Sequence, residues 1–181
     1  MNYRKLFDAL HPGFFDAPGI RSLPPEAVFS EMILPRGAKL PGEDALPCPE
    51  GISFGIYEGP LAALRETVAK VNPDWVQYFN EGGRVYCALD GDKPVSFCIL
   101  DGMGWFEGRK IAGPGCVGTL PSYRKQGIGL MMVRRATALL WDEGADLSYI
   151  HYTHLARWYG RLGYETVLRW GRDGVIWSKD E

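Results

Sequence analysis

The hydrophobic pattern of the chain changes period several times. Ile52-Ser53-Phe54-Gly55-Ile56-Tyr57 alternates and predicts a first strand. After Pro60, Leu61, Leu64, Val68 and Val71 recur at helical spacing and predict an amphipathic helix. Asn72-Pro73-Asp74 breaks it, and residues 75–79 predict a second short helix that Gly82-Gly83 ends. The apolar runs 85–89 and 95–100 flank Asp90-Gly91-Asp92, a hairpin pattern. A further turn is expected near Asp101-Gly102-Met103-Gly104, leading through Trp105 and Phe106 to the apolar run Cys116-Val117-Gly118-Thr119-Leu120-Pro121. A long helix is predicted from about Gly127 to Glu143. Its buried stripe is Ile128, Met131, Met132, Ala136, Leu139 and Leu140, interrupted by Arg135. A strand at 147–150, a short helix carrying Leu155, Trp158, Tyr159 and Leu162, and strands near 164–170 and 174–178 complete the order.

Residues 1–50 are rich in Pro and Gly, with a helical patch expected over 24–32. Phe7, Leu10, Phe14 and Phe15 are too apolar for a disordered tail. The expected organisation is one domain over residues 1–181: a core at 51–181 and an N-terminal extension at 1–50 packed on it. Strands and helices alternating in this order give an α/β (α+β) chain with a mixed sheet.

The stretch Arg124-Lys125-Gln126-Gly127-Ile128-Gly129 stands between an apolar strand and the long helix. A helix start leaves its first amides without partners and carries the positive end of the dipole. Glycines there let a phosphate approach the backbone. No Gly-x-x-x-x-Gly-Lys-Ser/Thr loop exists. Gly113-Pro114-Gly115-Cys116-Val117-Gly118 matches Gly-x-Gly-x-x-Gly, but Thr119-Leu120-Pro121 follows where a dinucleotide-binding helix would begin.

The Arg-x-x-Gly-x-Gly stretch resembles the acyl-coenzyme A pyrophosphate loop of the GNAT superfamily of N-acetyltransferases. Thr119-Leu120-Pro121 fills the place of that family's Val-x-Pro-like tripeptide. Trp158-Tyr159-Gly160-Arg161-Leu162-Gly163-Tyr164 matches its aromatic-Tyr-x-x-x-Gly-aromatic segment about thirty residues on. The resemblance covers about residues 116–167 strongly and element order from Gly51 onward more weakly. It implies a GNAT-like three-layer fold, with a central mixed, splayed sheet of about six to seven strands flanked by helices. It implies acetyl-coenzyme A as cosubstrate, held by the backbone of Val117, Gly118 and Thr119 at its pantetheine arm. Arg124, Lys125, Gln126, Gly127, Ile128, Gly129 and Leu130 would hold its pyrophosphate. Tyr159 is then the candidate general acid facing the sulfur.

Two departures from the family stand out. Residues 112–119 hold no carboxylate, so a base on that strand is absent, leaving Glu107, Asp101, His151 and Tyr152 as candidates. Tyr152 replaces the Asn often found seven residues before the catalytic Tyr. The expected reaction is acetyl transfer to a primary amine of a small-molecule or peptide acceptor by direct attack in a ternary complex. Trp75, Tyr78, Phe79, Trp105 and Phe106, with Asp74, Glu81 and Glu107, are candidates for the acceptor side. A covalent route through Cys116, a non-catalytic acyl-coenzyme A sensor, a longer acyl group and an oxygen acceptor all remain open. Relatives that dimerise make a homodimer one possible assembly, though no feature of the sequence demands it.

Composition removes other classes. The net charge is -2 and Lys and Arg do not cluster, which argues against nucleic acid. No apolar run reaches transmembrane length and no signal-peptide pattern opens the chain. Cys48, Cys87, Cys98 and Cys116 lie far apart, so a disulfide framework is not expected and the cytoplasm is the default location. His151 and His154 could share a helix face, but no third ligand has zinc spacing and no metal is expected.

Overall fold

The computed structural model describes residues 1–180. Its elements are α1 (Tyr3–Leu10), α2 (Pro18–Arg21), β1 (Phe29–Pro35), β2 (Ile52–Ile56), α3 (Leu61–Val71), β3 (Val85–Asp90), β4 (Lys93–Phe106) and β5 (Arg109–Thr119), followed by α4 (Ile128–Asp142), β6 (Leu147–Thr153), α5 (Ala156–Gly160), β7 (Glu165–Gly171) and β8 (Gly174–Ser178). The eight strands form one sheet in the order β2-β3-β4-β5-β6-β1-β7-β8. This mixed, helix-flanked sheet is the expected fold class, with slightly more strands than expected. No helix among the described residues is long and apolar enough to cross a membrane.

Side chains alternate across the sheet and build a core on each face. Met32, Leu34, Cys98, Leu100, Ala112 and Ile150 pack against α4 and Tyr159. Ile33, Ile111, Leu147 and Tyr149 point the other way, onto Leu6 of α1. Val85, Cys87 and Phe97 meet Leu64 and Val68 of α3 on that same second face. Each fully buried aliphatic side chain contributes roughly 1.5–3 kcal/mol. Within the α4 stripe Leu139 is only partly buried. Arg135 leaves the stripe to pair with Glu43 at 2.6 Å and to lie over the Phe54 ring at 4.7 Å.

Three expectations are corrected. Residues 24–32 do not form a helix, because β1 occupies the slot between β6 and β7, antiparallel to both. Residues 30–34 are buried in sequence, as an inner strand covered on both faces requires, and that pairing overrides the helical reading. The N-terminal segment therefore supplies an inner strand as well as packing on the domain. The turn expected at 101–104 is continuous strand: Gly104, at φ +102°, absorbs a register shift, and β4 turns back only at Glu107-Gly108. Both turn residues have positive φ (47° and 73°), the requirement of a tight two-residue hairpin. The short helix after α3 is 3-10 and begins on Pro73, with the Asn72 side chain accepting from the Asp74 amide at 3.0 Å.

Among the described residues β5 and β6 are the only parallel neighbours, joined through α4 as parallel strands require. They pair through Ile111↔Leu147 and Ala112↔Ser148 alone. At Gly113 the strands still crowd, since an added Cβ would lie 1.9 Å from the Tyr149 carbonyl oxygen. Beyond it they splay, and β5 from Gly113 to Thr119 has no strand partner on its β6 side among the described residues.

Candidate active site

The splay puts the end of β5 and the start of α4 on one cleft of about 520 Å³. Ser96 fixes the end of β5: its hydroxyl donates to the Gly118 carbonyl and bonds the Thr119 hydroxyl, both at 2.8 Å. A 3-10 turn at Pro121–Tyr123 then reverses the chain. Arg124 Nε donates back to the Thr119 carbonyl at 3.0 Å, and Lys125 takes a left-handed φ of 62°. These contacts fold the loop onto its own strand before the helix begins.

Gly127 caps α4 at φ +83°. An added Cβ there would lie 1.6 Å from the Pro47 carbonyl oxygen, so a backbone segment of the N-terminal region occupies that space. Gly129 faces Thr119, whose Oγ1 would be 2.8 Å from an added Cβ. The Met131 amide donates to the Gly127 carbonyl at 3.0 Å, as an α-helical bond does. The Ile128, Gly129 and Leu130 amides precede it and have no hydrogen-bond acceptor among the described residues. They are the positive end of a 15-residue helix, open to an anion.

Val117, Gly118 and Thr119 line the cleft from β5, Arg124 and Lys125 from the loop, and Gly127, Ile128, Gly129 and Leu130 from α4. Gln126 does not border it; its side chain donates to the Ser122 carbonyl at 3.1 Å instead. Pro47, Val71, Tyr123, Leu155, Trp158 and Arg161 also line the cleft, although the sequence did not single them out as site residues, and so does His154. Arg161 lies within the aromatic-Tyr motif and joins Arg124 and Lys125 as a third cation. Pro47 gave no local signal, because its place is set by tertiary packing.

Tyr159 lines the cleft from α5 with only 5% of its surface exposed. Its ring meets Trp158 edge-on at 4.8 Å and Tyr164 at 5.9 Å. Burial above all, with Tyr164 and two thiols nearby, pushes its phenol well above the ordinary range. The group is therefore a neutral O–H donor at every physiological pH. Cys116 does not border the cleft, and burial pushes its thiol up to about 11 with Asp101 adding to the shift, so it stays protonated and unreactive.

The other candidates separate by position. Glu107 sits at the tip of the β4–β5 hairpin, ten residues and roughly 30 Å of strand from Val117. Trp105 and Phe106 are at that same tip, Tyr78 is exposed and Phe79 is buried against Phe97. Trp75 alone of the acceptor-side aromatics borders the cleft. Asp101 is exposed on β4 opposite Gly113. His151 and His154 share no helix: His151 is on β6 and His154 follows it, lining the cleft.

His151 pairs with residues distant in sequence. Its Nδ1 is 2.9 Å from Glu31 Oε2, and the His11 ring stacks on it at 3.8 Å. His11, Glu31 and His151 are the one cluster of potential metal ligands among the described residues, with ligand atoms within 4.8 Å of one another. The two imidazoles are stacked at only 16° between planes, so their in-plane lone pairs do not converge on one ion.

His11 makes stability depend on pH. Burial first and His151 second lower its imidazole from 6.5 to about 4, against a smaller opposing effect of Glu31. The unfolded chain thus binds the proton before the folded one does. Stability is lost as pH falls from 6.5 to about 4 and levels off below. For a half-buried ring the loss is roughly 1–2 kcal/mol after solvent screening. His11→Phe should shrink the drop in urea midpoint between pH 7 and pH 4.5; an equal drop in both proteins would refute this.

Residues 81–166 match the family model of the acetyltransferase (GNAT) domain. A GCN5-related glucosamine N-acetyltransferase region from a fungal multi-domain GH3 β-N-acetylglucosaminidase is 21% identical at a TM-score of 0.68. The match covers 80% of this chain and 20% of that one. The GCN5-related N-acetyltransferase of Sphaerobacter thermophilus is 18% identical at 0.58, covering 81% and 50%. That of Kribbella flavida is 22% identical at 0.54, covering 78% and 55%. The chain thus spans between a fifth and just over half of these solved proteins, and the likeness to them is one of fold. No curated protein sequence matches it.

Proposed function

We propose that the chain, whose residues 81–166 match the acetyltransferase (GNAT) domain, moves an acetyl group from acetyl-coenzyme A to a primary amine of a small-molecule or peptide acceptor. The observation that carries this is the row of unpaired amides at Ile128, Gly129 and Leu130, opening on the same cleft as Tyr159. These amides, with Arg124, Lys125 and Arg161, suit a diphosphate. The unpaired edge of β5 suits the pantetheine amides, since backbone groups left without partners in a closed site are costly.

Acetyl-coenzyme A supplies an activated thioester. An amine near a pKa of ~10.4 is protonated at neutral pH, and freeing its lone pair costs about 4–5 kcal/mol. In the proposed ternary complex the neutral amine attacks the carbonyl directly. A β5 amide near Val117 or Gly118 meets the charge developing on oxygen. The C–S bond breaks as Tyr159 gives its proton to the departing sulfur. The four free cysteines accord with a cytoplasmic setting as part of this reading.

The test is thiol release from acetyl-coenzyme A against a panel of amines that includes glucosamine, the amine for which the fungal region is named. At least one amine should raise release tenfold or more above hydrolysis. A flat panel with intact coenzyme binding would favour a non-catalytic sensor, a reading that the absence of a carboxylate on residues 112–119 supports.

A further inference from the structure

We propose that His151, oriented by Glu31, is the base that takes the proton from the acceptor ammonium on the sheet face opposite α4. This rests on the transferase reading above and adds the proton acceptor that it lacks. His151 lies on β6 beyond Ser148, the last residue paired with β5, and so borders the splay. Ile150 packs toward α4 and Tyr149 toward α1. The alternation turns His151 toward α1, where it meets Phe7 and His11. Tyr159 packs on the α4 face. Acid and base thus approach the gap from opposite sides, as attack and departure across one carbonyl demand.

Glu31 sets the tautomer. It is 0% exposed, and its one ion pair among the described residues is with His151. Its Oε1 accepts from Trp170 Nε1 at 2.6 Å and from the Tyr152 amide at 3.1 Å. A carboxylate in this setting accepts hydrogen bonds only, so His151 donates Nδ1–H through Oε2 and keeps its lone pair on Nε2. Nε2 has no partner among the described residues and is not among the buried unpaired atoms, and 24% of the side chain is exposed. The free nitrogen therefore meets solvent or substrate. The ionisable groups around the pair are His11 from the end of α1, Glu31 from β1, and Tyr149 and Tyr152 from β6.

The acceptor R–NH3⁺ gives one proton to Nε2, directly or through one water. The amine then forms the C–N bond, the C–S bond breaks, and sulfur takes a proton from Tyr159. The second proton lost from nitrogen returns to Tyr159 through solvent, and His151 releases its proton to bulk, one net proton per turnover.

A purely structural Glu31–His151 pair would hold Tyr152 at its φ of 56° and do nothing to the rate profile. The discriminating experiment measures kcat/KM against pH, with acetyl-coenzyme A and the fastest amine of the panel, for wild type, His151→Ala and Glu31→Gln. His151→Ala should lose about 10²-fold or more and lose the acidic limb, with added imidazole restoring at least part of the rate. Glu31→Gln should lose roughly tenfold and displace that limb. Coenzyme affinity by calorimetry should stay within about twofold in both, since neither residue borders the cleft. If His151→Ala fails to fold, His151→Gln is read the same way. Turnover in the variant with the wild-type acidic limb overturns this inference alone. A wild type that acetylates no amine overturns the transferase reading and this one with it.

Discussion

Tyr159→Phe is expected to slow thiol release by about 10²-fold or more while leaving coenzyme A affinity within about threefold. The substitution removes one oxygen. The ring that packs against Trp158 and Tyr164 remains, so the cleft keeps its shape. Burial holds the phenol protonated, and its proton moves only as the sulfur gains charge, because a thiol near ~8.5 is the stronger acid. Losing the donor therefore raises the barrier to C–S cleavage without touching the residues proposed to hold the diphosphate. Steady-state rates together with calorimetric coenzyme titration separate the two quantities. A variant with unchanged rate would make Tyr159 a packing residue only.

Gly127→Ala should lower stability by about 3 kcal/mol and weaken coenzyme binding by about 10²-fold or more. The left-handed backbone costs a non-glycine residue about 1–2 kcal/mol. An added methyl 1.6 Å from the Pro47 carbonyl oxygen forces two backbone segments apart, at a further ~1–3 kcal/mol. Both segments line the cleft, so relief of the clash moves the proposed anion site itself. Gly129→Ala meets a side-chain hydroxyl at 2.8 Å instead of a backbone, and its effect should be nearer tenfold. Urea midpoints and coenzyme titrations on the two variants give the order. Equal effects, or a larger effect at Gly129, would contradict it.

The parts of the fold that depend on neighbours in sequence were legible in it. Alternation gave β2, helical spacing gave α3 and α4, and the apolar runs on either side of Asp90-Gly91-Asp92 gave β3 and the first hairpin. The parts that depend on distant pairing were hidden. β1 lies between β6 and β7 and is buried on both faces, with Met32 and Leu34 on the α4 side and Ile33 on the α1 side, and no local period announces that. Gly102 and Gly104 look like turn residues, yet they serve as bulges because β5 continues opposite them. The cleft shows the same division. Nine of the ten marked coenzyme residues border it, because a strand end, a glycine turn and a helix start are contiguous in sequence. Gln126 turned away because its amide found the Ser122 carbonyl four residues back. Pro47, and the joining of His11 and Glu31 to His151, came from tertiary packing across 80 or more residues of chain.

The amides of Ile128, Gly129 and Leu130 are the most direct place to look. Titrating isotope-labelled protein with coenzyme A and following its amide NMR spectrum reads them one by one. These three resonances, with Gly127, should move together and saturate at one equivalent, and the hairpin tip at Glu107 and Gly108 should stay still. Unmoved helix-start amides at millimolar coenzyme A, or shifts confined to other surfaces, would contradict this.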